Sequence, residues 1–463
     1  MIFKPLYLVF LQAVLLDSCN YILSLTVRNQ SFSHIIGEMM KNEKKRYFID
    51  LFAGCGGFSL GLEKAGFIPA LVNELNPDAM ETYLLNRDKE FPLLREKYNV
   101  SDIRTLANNY VLQNQIVNDM RIDYDIDIDM GELDLLVGGP PCQGYSGIGH
   151  RRSYAVEKKE LPSNHLYLEM ITVINRFKPK IFIFENVKGI LSGKWTSDGK
   201  KGEIWKDVLS AFTDIEGYNV RWRLVHAKEY GVPQNRPRVI LVGIRSDIIT
   251  SMSLPSDAIQ AGFLPSPTFD YPDLQELLSD LIDKDFQYGC NNAFYKESPQ
   301  NNVQRLLRTN KSGVIMDKGH SLSEQDYGNH SSRVIEKFTH MLNNNGIIPE
   351  EYKTKKFAQK VLPPTWGESG PTITACCLAD DYVHFSQPRV LTVREWARLQ
   401  MFPDWYTFAG KRTTGGIRRA GNPKEGIYER ELPKYTQIGN AVPVLLAERV
   451  GSNLYRILDE YSA

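Results

Sequence analysis

The chain has no surplus of either charge: 55 lysines and arginines stand against 55 aspartates and glutamates in 463 residues. A global positive field is thereby excluded, and any affinity for a polyanion must come from local basic patches. Cysteine is sparse. The six present (Cys19, Cys55, Cys142, Cys290, Cys376, Cys377) include no C-x-x-C pair, which argues against a zinc site or a disulfide framework and for a reducing compartment. Long apolar runs are nearly missing. The strongest, residues 5–16 (PLYLVFLQAVLL), is too short to span a bilayer as a helix. No A-x-A cleavage signature follows it, and Asp17 spoils Leu16-Asp17-Ser18-Cys19 as a lipoprotein site. We expect residues 1–39 to be an extension preceding a domain that opens near Met40 and the KNEKKR run. A helix packed on that domain and a targeting segment are the alternatives. A cytoplasmic protein without a membrane role is expected. With 42% hydrophobic and 24% charged residues, the remainder is neither disordered nor fibrous, and it is long enough for a sizeable core.

What is present is an alternation of strands and helices. Residues 47–51 (YFIDL) read as a strand broken by Gly54, Gly56 and Gly57, after which FSLGLEKAG reads as a helix ended by Gly66. Further strands are expected at 68–72, before Ser101-Asp102, at 133–137, at 181–184 and at 238–244. Continuous apolar strands separated by helices predict a parallel sheet covered on both faces, with ligands gathering beyond the carboxyl ends of the strands. From about 249 to 388 the pattern dissolves into Asn-, Ser-, Asp- and Pro-rich sequence, read as a second domain. Regularity returns at Arg389 and closes with a helix over about 441–461.

Chemistry-bearing residues fall at those strand ends. In Phe52-Ala53-Gly54-Cys55-Gly56-Gly57 small residues let a backbone turn approach a ligand at a helix N-terminus. Ser59 replaces the third glycine of the dinucleotide fingerprint, so a plain tight turn stays open. Glu74, ending the next strand, is placed to accept from ribose hydroxyls; together the two favour an adenosine-containing ligand. Asp102 is placed to accept from an adenine amino group or to cap a helix. Cys142, after Gly138-Gly139-Pro140-Pro141, would be held exposed on a rigid turn, as suits a nucleophile; a buried structural cysteine is the alternative. Glu185 follows an apolar strand where partial burial would keep a proton on it near neutral pH, with Asn186 orienting it through backbone contacts. Gln234, Arg236 and Arg238 alternate into a strand and would share one face, unless they are surface charge. No metal site is expected.

Six blocks, DLFAGCGGFSLG (50–61), GGPPCQGYS (138–146), FENV (184–187), QNRPRV (234–239), RVLTVREWARLQMFPDWY (389–406) and QIGNAVP (437–443), together resemble the ordered motifs of DNA cytosine-5 methyltransferases of the bacterial restriction-modification type. The resemblance runs from about Tyr47 to the end of the chain. It implies an α/β, Rossmann-like S-adenosylmethionine-dependent catalytic domain (40–248 and 389–463) with a smaller target-recognition domain inserted at 249–388. It implies Phe52, Gly54, Gly56, Gly57, Glu74, Asp102, Leu166 and Asn440 around the cofactor, whose product would be S-adenosylhomocysteine. Cys142, Glu185, Arg236 and Arg238 would act at the cytosine, and Gln143, Ser146, Arg151, Arg152, Asn186 and Gln234 would contact the substrate. The segment 146–159 (SGIGHRRSYAVEKK) would be a mobile loop closing on DNA, with Arg151 and Arg152 meeting phosphates. Phosphate contacts are also expected among Arg305, Arg308, Lys311, Lys353, Lys355, Lys356, Lys360, Lys411, Arg412, Arg418 and Arg419.

The implied activity is methyl transfer to carbon 5 of a flipped-out cytosine in a specific double-stranded DNA sequence, through a covalent cysteine adduct. The implied protein is a monomer, with a cognate restriction endonuclease acting separately. A transfer-RNA cytosine-5 methyltransferase is the enzymatic rival, disfavoured by the long insert and by the missing CFT-like triplet. A non-catalytic DNA-binding relative is disfavoured by the presence of Cys142, Glu185 and both arginines. At 162–166 (PSNHL) many relatives carry an arginine before the asparagine, which unsettles the contacts expected there.

Overall fold

A computed structural model describes residues 44–141, 161–251, 259–353, 359–364, 372–373, 381–414 and 431–462. Its frame is a seven-stranded sheet of order β3-β2-β1-β4-β5-β7-β6. The strands are β1 (Arg46–Leu51), β2 (Phe67–Asn73), β3 (Asn99–Val100), β4 (Leu135–Gly138), β5 (Ile181–Val187), β6 (Tyr218–His226) and β7 (Pro237–Arg245). Most expected strands fall within two residues of these bounds because each is a short run of Val, Ile, Leu and Phe bounded by Gly, Asn or Asp.

The first five strands run parallel, as expected for strands buried on both faces. Two features differ from the sequence reading. Strand β6 was not foreseen, because YNVRWRLVH is polar and lies at an edge. Strand β7 runs antiparallel to both β5 and β6. The 227–236 connection is too short for a covered crossover, so β6 and β7 close as a hairpin and the sheet becomes mixed.

Helices α1 (Gly57–Lys64), α2 (Pro77–Leu85), α3 (Ile103–Asn108), α4 (Tyr110–Tyr124), α5 (Leu166–Phe177) and α6 (Glu203–Thr213) alternate with these strands. Strand alternation sorts the core into two layers. Phe48, Leu135, Val137, Ile181, Ile183, Ile240 and Val242 pack with Leu60 and Leu62 of α1 on one face. Ile49, Leu136, Phe182, Phe184 and Leu241 pack with Val117, Met170, Val173 and Phe212 of α4, α5 and α6 on the other.

Beyond β7 the described chain is mostly loop, with short helices α7 (Leu274–Leu278), α8 (Asn302–Arg308) and α9 (Ser332–Asn343) and a two-stranded ladder of Lys360–Val361 with Tyr382–Val383. Helices α10 (Val393–Arg398), α11 (Lys434–Asn440) and α12 (Val444–Ser462) follow. The final helix starts at Val444, just after Pro443, slightly later than the expected start near 441. Its residues Leu446, Val450, Leu454 and Leu458 cover the α1 face of the sheet, and that apolar layer continues into Leu277, Tyr295, Leu307 and Trp396. Arg46–Ala463 form one compact unit, and the expected extension at residues 1–39 lies outside the described residues.

Candidate active site

The carboxyl ends of β1 to β5 and the amino end of β7 meet along one edge of the sheet, which gathers residues from six distant segments. At the end of β1, Phe52 (φ 58°), Gly54 (φ 56°) and Gly56 (φ 80°) all take the left-handed conformation that makes the turn. A Cβ on Gly54 would meet nothing within 4 Å, so the front of the turn is open. Its back is filled: a Cβ on Gly56 would lie 2.8 Å from Arg87 Nη1, and one on Gly57 2.5 Å from the Val442 carbonyl.

Glu74 locks the turn to the end of β2. Its Oε2 accepts from the Gly54 amide (2.8 Å) and its Oε1 from the Asn76 amide (2.7 Å). Burial raises its pKa, while these backbone amides pull it down. Asn73, the last residue of β2, laces three strand ends together. Its side-chain oxygen accepts from the Phe52 amide (3.3 Å), and its Nδ2 donates to the carbonyls of Val100 (2.8 Å) and Ser101 (3.0 Å). Beside it Leu75 is 69% exposed, an apolar surface next to the turn that no periodicity marks. Asp102 caps α3, Oδ1 accepting from the Arg104 amide at 2.9 Å; its other oxygen lies 4.0 Å from Arg104 Nη1. Ser59 is buried and donates to Asp50 Oδ2 (2.5 Å), whose carboxyl burial pushes up to about 7.

The second half of the site lies on β5 and β7. Glu185 and Arg238 stand diagonally on the same face of the antiparallel pair, where Glu185 faces Ile240 and Val187 faces Arg238. Arg238 Nε is 2.6 Å from Glu185 Oε1. This is an ion pair without a well-directed hydrogen bond, so both atoms lack a hydrogen-bond partner among the described residues. Burial raises the pKa of Glu185, opposed by the charges of Arg238 and then Arg236. A Cβ on Gly139 would lie 3.1 Å from Glu185 Oε2, which sets the carboxyl against the turn leading to Cys142. Asn186 Nδ2 donates to the Pro140 carbonyl (3.1 Å), and its oxygen accepts from the Val187 amide (2.9 Å), so Asn186 clamps that same turn. Cys142, Gln143, Ser146, Arg151 and Arg152 lie outside the described residues.

Of Gln234, Arg236 and Arg238, only Arg238 lies within β7, which starts at Pro237. Gln234 is buried, donating to Leu399 O and Gln400 Oε1 (both 2.7 Å) and accepting from the Ile373 amide (3.2 Å). Arg236 Nη2 donates to the carbonyls of Gly439 (2.7 Å) and Ala441 (3.0 Å), and Nη1 to that of Ile373. Gln400 Nε2 donates to the Ile438 carbonyl (2.8 Å). Three sequence blocks are thus laced together beside the strand ends. Leu166 is buried at the start of α5, and Asn440 is exposed at the end of α11.

The basic clusters sort unevenly. Arg308 is fully buried, paired with Asp280 (3.1 Å) and stacked over Tyr295, which excludes the expected phosphate contact. Lys311 pairs with Glu90 (2.7 Å), Lys353 with Glu350, and Lys411 with Glu431 (3.0 Å). Arg305 and Lys360 are exposed. Lys355, Lys356, Arg418 and Arg419, like the 146–159 segment, lie outside the described residues.

Residues 47–456 match the model of the C-5 cytosine-specific DNA methylase family. The chain is 31% identical over 422 residues to the type II methyltransferase M.DdeI of Desulfomicrobium norvegicum, covering 88% of each chain. It is 28% identical over 425 residues to the type II methyltransferase M.XorII of Xanthomonas oryzae pv. oryzae, covering 89% of this chain and 84% of that one. A crystal structure of a DNA modification methyltransferase encoded within an E. coli prophage superposes with a TM-score of 0.62 at 22% identity, over 90% of this chain and 100% of that one. That structural likeness bears on the α/β, Rossmann-like fold, whereas the family match spans nearly the whole described unit. The chain belongs to the C-5 cytosine-specific DNA methylase family and is a DNA cytosine-5 methyltransferase.

Proposed function

We propose that this chain transfers a methyl group from S-adenosylmethionine to carbon 5 of a cytosine within a specific double-stranded DNA sequence, and that it does so as the modification partner of a type II restriction system. The observation that carries the chemical half is the buried Glu185–Arg238 pair, short of hydrogen-bond partners and set against the turn that leads to Cys142. Buried polar groups are normally satisfied, so a pair left unsaturated at the strand ends suits a ligand that completes it.

The open-fronted turn fits an adenosyl ligand: Gly54 faces free space, Glu74 and Asn73 fix the turn, and Leu75 offers an apolar surface beside it. Phe52, Gly54, Gly56, Gly57, Glu74, Leu166 and Asn440 would hold it, and Asp102 would contribute the side of its carboxylate not used as a helix cap. When bound, S-adenosylmethionine supplies an electrophilic methyl group.

The chain's own residues then have distinct tasks. The Cys142 thiolate adds to carbon 6 of cytosine, and the electron pair shifts to carbon 5, which takes the methyl. Glu185, whose pKa burial raises, shares a proton with ring nitrogen 3 as charge develops there, while Arg238 holds the exocyclic oxygen. Arg236, committed to the Gly439 and Ala441 carbonyls, steadies the wall of the site. Removal of the carbon-5 proton lets the thiolate leave. A cytosine inside a duplex cannot reach these groups, so the base is flipped out, at a cost of a few kcal/mol. Residues 249–388 are the proposed target-recognition domain, with Arg305 and Lys360 among its exposed phosphate contacts.

Bisulfite sequencing of DNA from methylation-deficient cells expressing the chain tests the reading. Methylated cytosines in one short recurring context are expected. Unmethylated DNA from well-expressed protein would overturn it and turn attention to an RNA substrate.

A further inference from the structure

The glycine turn is gripped from behind by Tyr406, the last residue of the 389–406 block, and by Arg87, which lies in none of the six blocks. Tyr406, 351 positions downstream, donates its hydroxyl to the Cys55 carbonyl at 2.6 Å. Arg87 Nη1 donates to the Tyr406 hydroxyl (3.1 Å) and to the Tyr83 carbonyl (2.9 Å), and Nη2 donates to the Gly56 carbonyl (3.3 Å). The guanidinium lies 3.9 Å from the centre of the Tyr83 ring and pairs with Glu63 at 2.6 Å. Both Arg87 and Tyr406 are fully buried. Two consecutive carbonyls of the turn are therefore held by side chains from elsewhere in the fold. Each peptide group is planar, so fixing the carbonyls of Cys55 and Gly56 also fixes the amides of Gly56 and Gly57.

Tyr406 is in turn held by groups that reach far along the chain. Arg394 Nη2 donates to the Tyr406 carbonyl (2.8 Å) and to Ser323 Oγ (3.0 Å). Neighbouring Asp404 accepts from the Tyr295 hydroxyl (2.7 Å) and from Arg398 Nη2 (2.6 Å). The Tyr406 ring also packs on Phe402 and Phe408, so its hydroxyl can be removed with the ring left in place.

We propose that Tyr406 and Arg87 are positioning residues for the cofactor: they touch neither cofactor nor base, but set the peptide planes of the turn that receives the adenosyl group. The inference rests on the reading above, in which that turn holds S-adenosylmethionine. The test uses the full chain, titrated with S-adenosylhomocysteine in a calorimeter. Tyr406→Phe, folded by circular dichroism, should bind about tenfold more weakly, because one hydrogen bond within a buried network is lost and the turn relaxes. KM for S-adenosylmethionine should rise by a similar factor in methyl transfer to bulk genomic DNA while kcat changes little, a split that a general loss of folded protein would not produce. Unchanged affinity and KM in the folded variant would overturn the proposal. Should Tyr406→Phe fail to fold, Arg87→Lys replaces it: the charge facing Glu63 is kept but the fork that reaches both Tyr406 and Gly56 is lost, and unchanged affinity there would equally overturn it. A wild-type chain that binds no S-adenosylhomocysteine would instead remove the underlying reading, and this inference with it.

Discussion

Two groups of buried charge sit at opposite ends of the same sheet, and they are satisfied to different degrees. At the amino ends of the strands, Asp134 accepts from Lys180 (2.7 Å), Arg46 (3.3 Å) and the Tyr47 amide (3.0 Å), and Arg46 continues to Asp459 at 2.6 Å. Both carboxylate oxygens of Asp134 have partners, and the cluster ties β1, β4 and the final helix together. At the carboxyl ends, Glu185 and Arg238 face each other at 2.6 Å with hydrogen-bonding capacity unspent. Both ends bury an arginine beside a carboxylate. The first is a many-membered clamp between elements, whereas the second is a single close pair set against the turn that leads to Cys142.

Mutations should separate the two ends. The largest effect is expected for Cys142→Ser, which should abolish methyl transfer while S-adenosylhomocysteine still binds in a calorimetric titration; retained turnover would sink the nucleophile assignment. Glu185→Gln should lower kcat by roughly 10²- to 10⁴-fold with little change in DNA affinity, as steady-state kinetics and a binding titration will show. Equal losses in both would move Glu185 from chemistry to binding. At the other end, Asp134→Ala leaves buried Lys180 without its carboxylate, while Arg46 keeps Asp459, and should destabilise the fold by about 3–5 kcal/mol in urea denaturation while kcat per folded molecule holds. A kinetic loss at Asp134 would erase the contrast between the ends.

Asp50 sharpens the comparison through pH. Burial raises its pKa from 3.8 to about 7, so between those values the folded state holds more protons than the unfolded chain. The stability linked to this proton is fully present below the lower value and is lost as pH rises through the upper one. Melting profiles between pH 5 and 8 should show that decline, and Asp50→Asn should flatten it. The smallest effect is expected for Asp102→Ala, which removes a helix cap worth about 1 kcal/mol. A several-fold loss of cofactor affinity beyond that would give Asp102 a direct contact.

Much of this architecture was legible residue by residue. The strands ending at Leu51, Asn73 and Gly138 are apolar runs stopped by polar or glycine residues, a local pattern that a parallel sheet requires. Strand β6 was not legible, because its polar edge position gives no continuous apolar run. The orientation of β7 followed from loop length, which periodicity does not report. Arg308 resembled a phosphate contact beside Arg305 and Lys311, yet its carboxylate partner lies 28 positions away at Asp280. Asn73 and Leu75 carried no signal beyond flanking a strand end and an acid.

The sequence by itself determined where strands one to five fall along the chain, the strand ends where functional groups gather, and the motif blocks that mark the family. Those depend on hydrophobic period, residue type and spacing, all of which are local. Tertiary structure decided which polar groups are already committed. Gln234 is bound to residues 165 positions on, Arg236 to Gly439, and Cys55 to the hydroxyl of Tyr406, while Glu185 is left unsaturated. A side chain's partners are set by which segments the core packs side by side, and no window along the chain contains both members of such a pair.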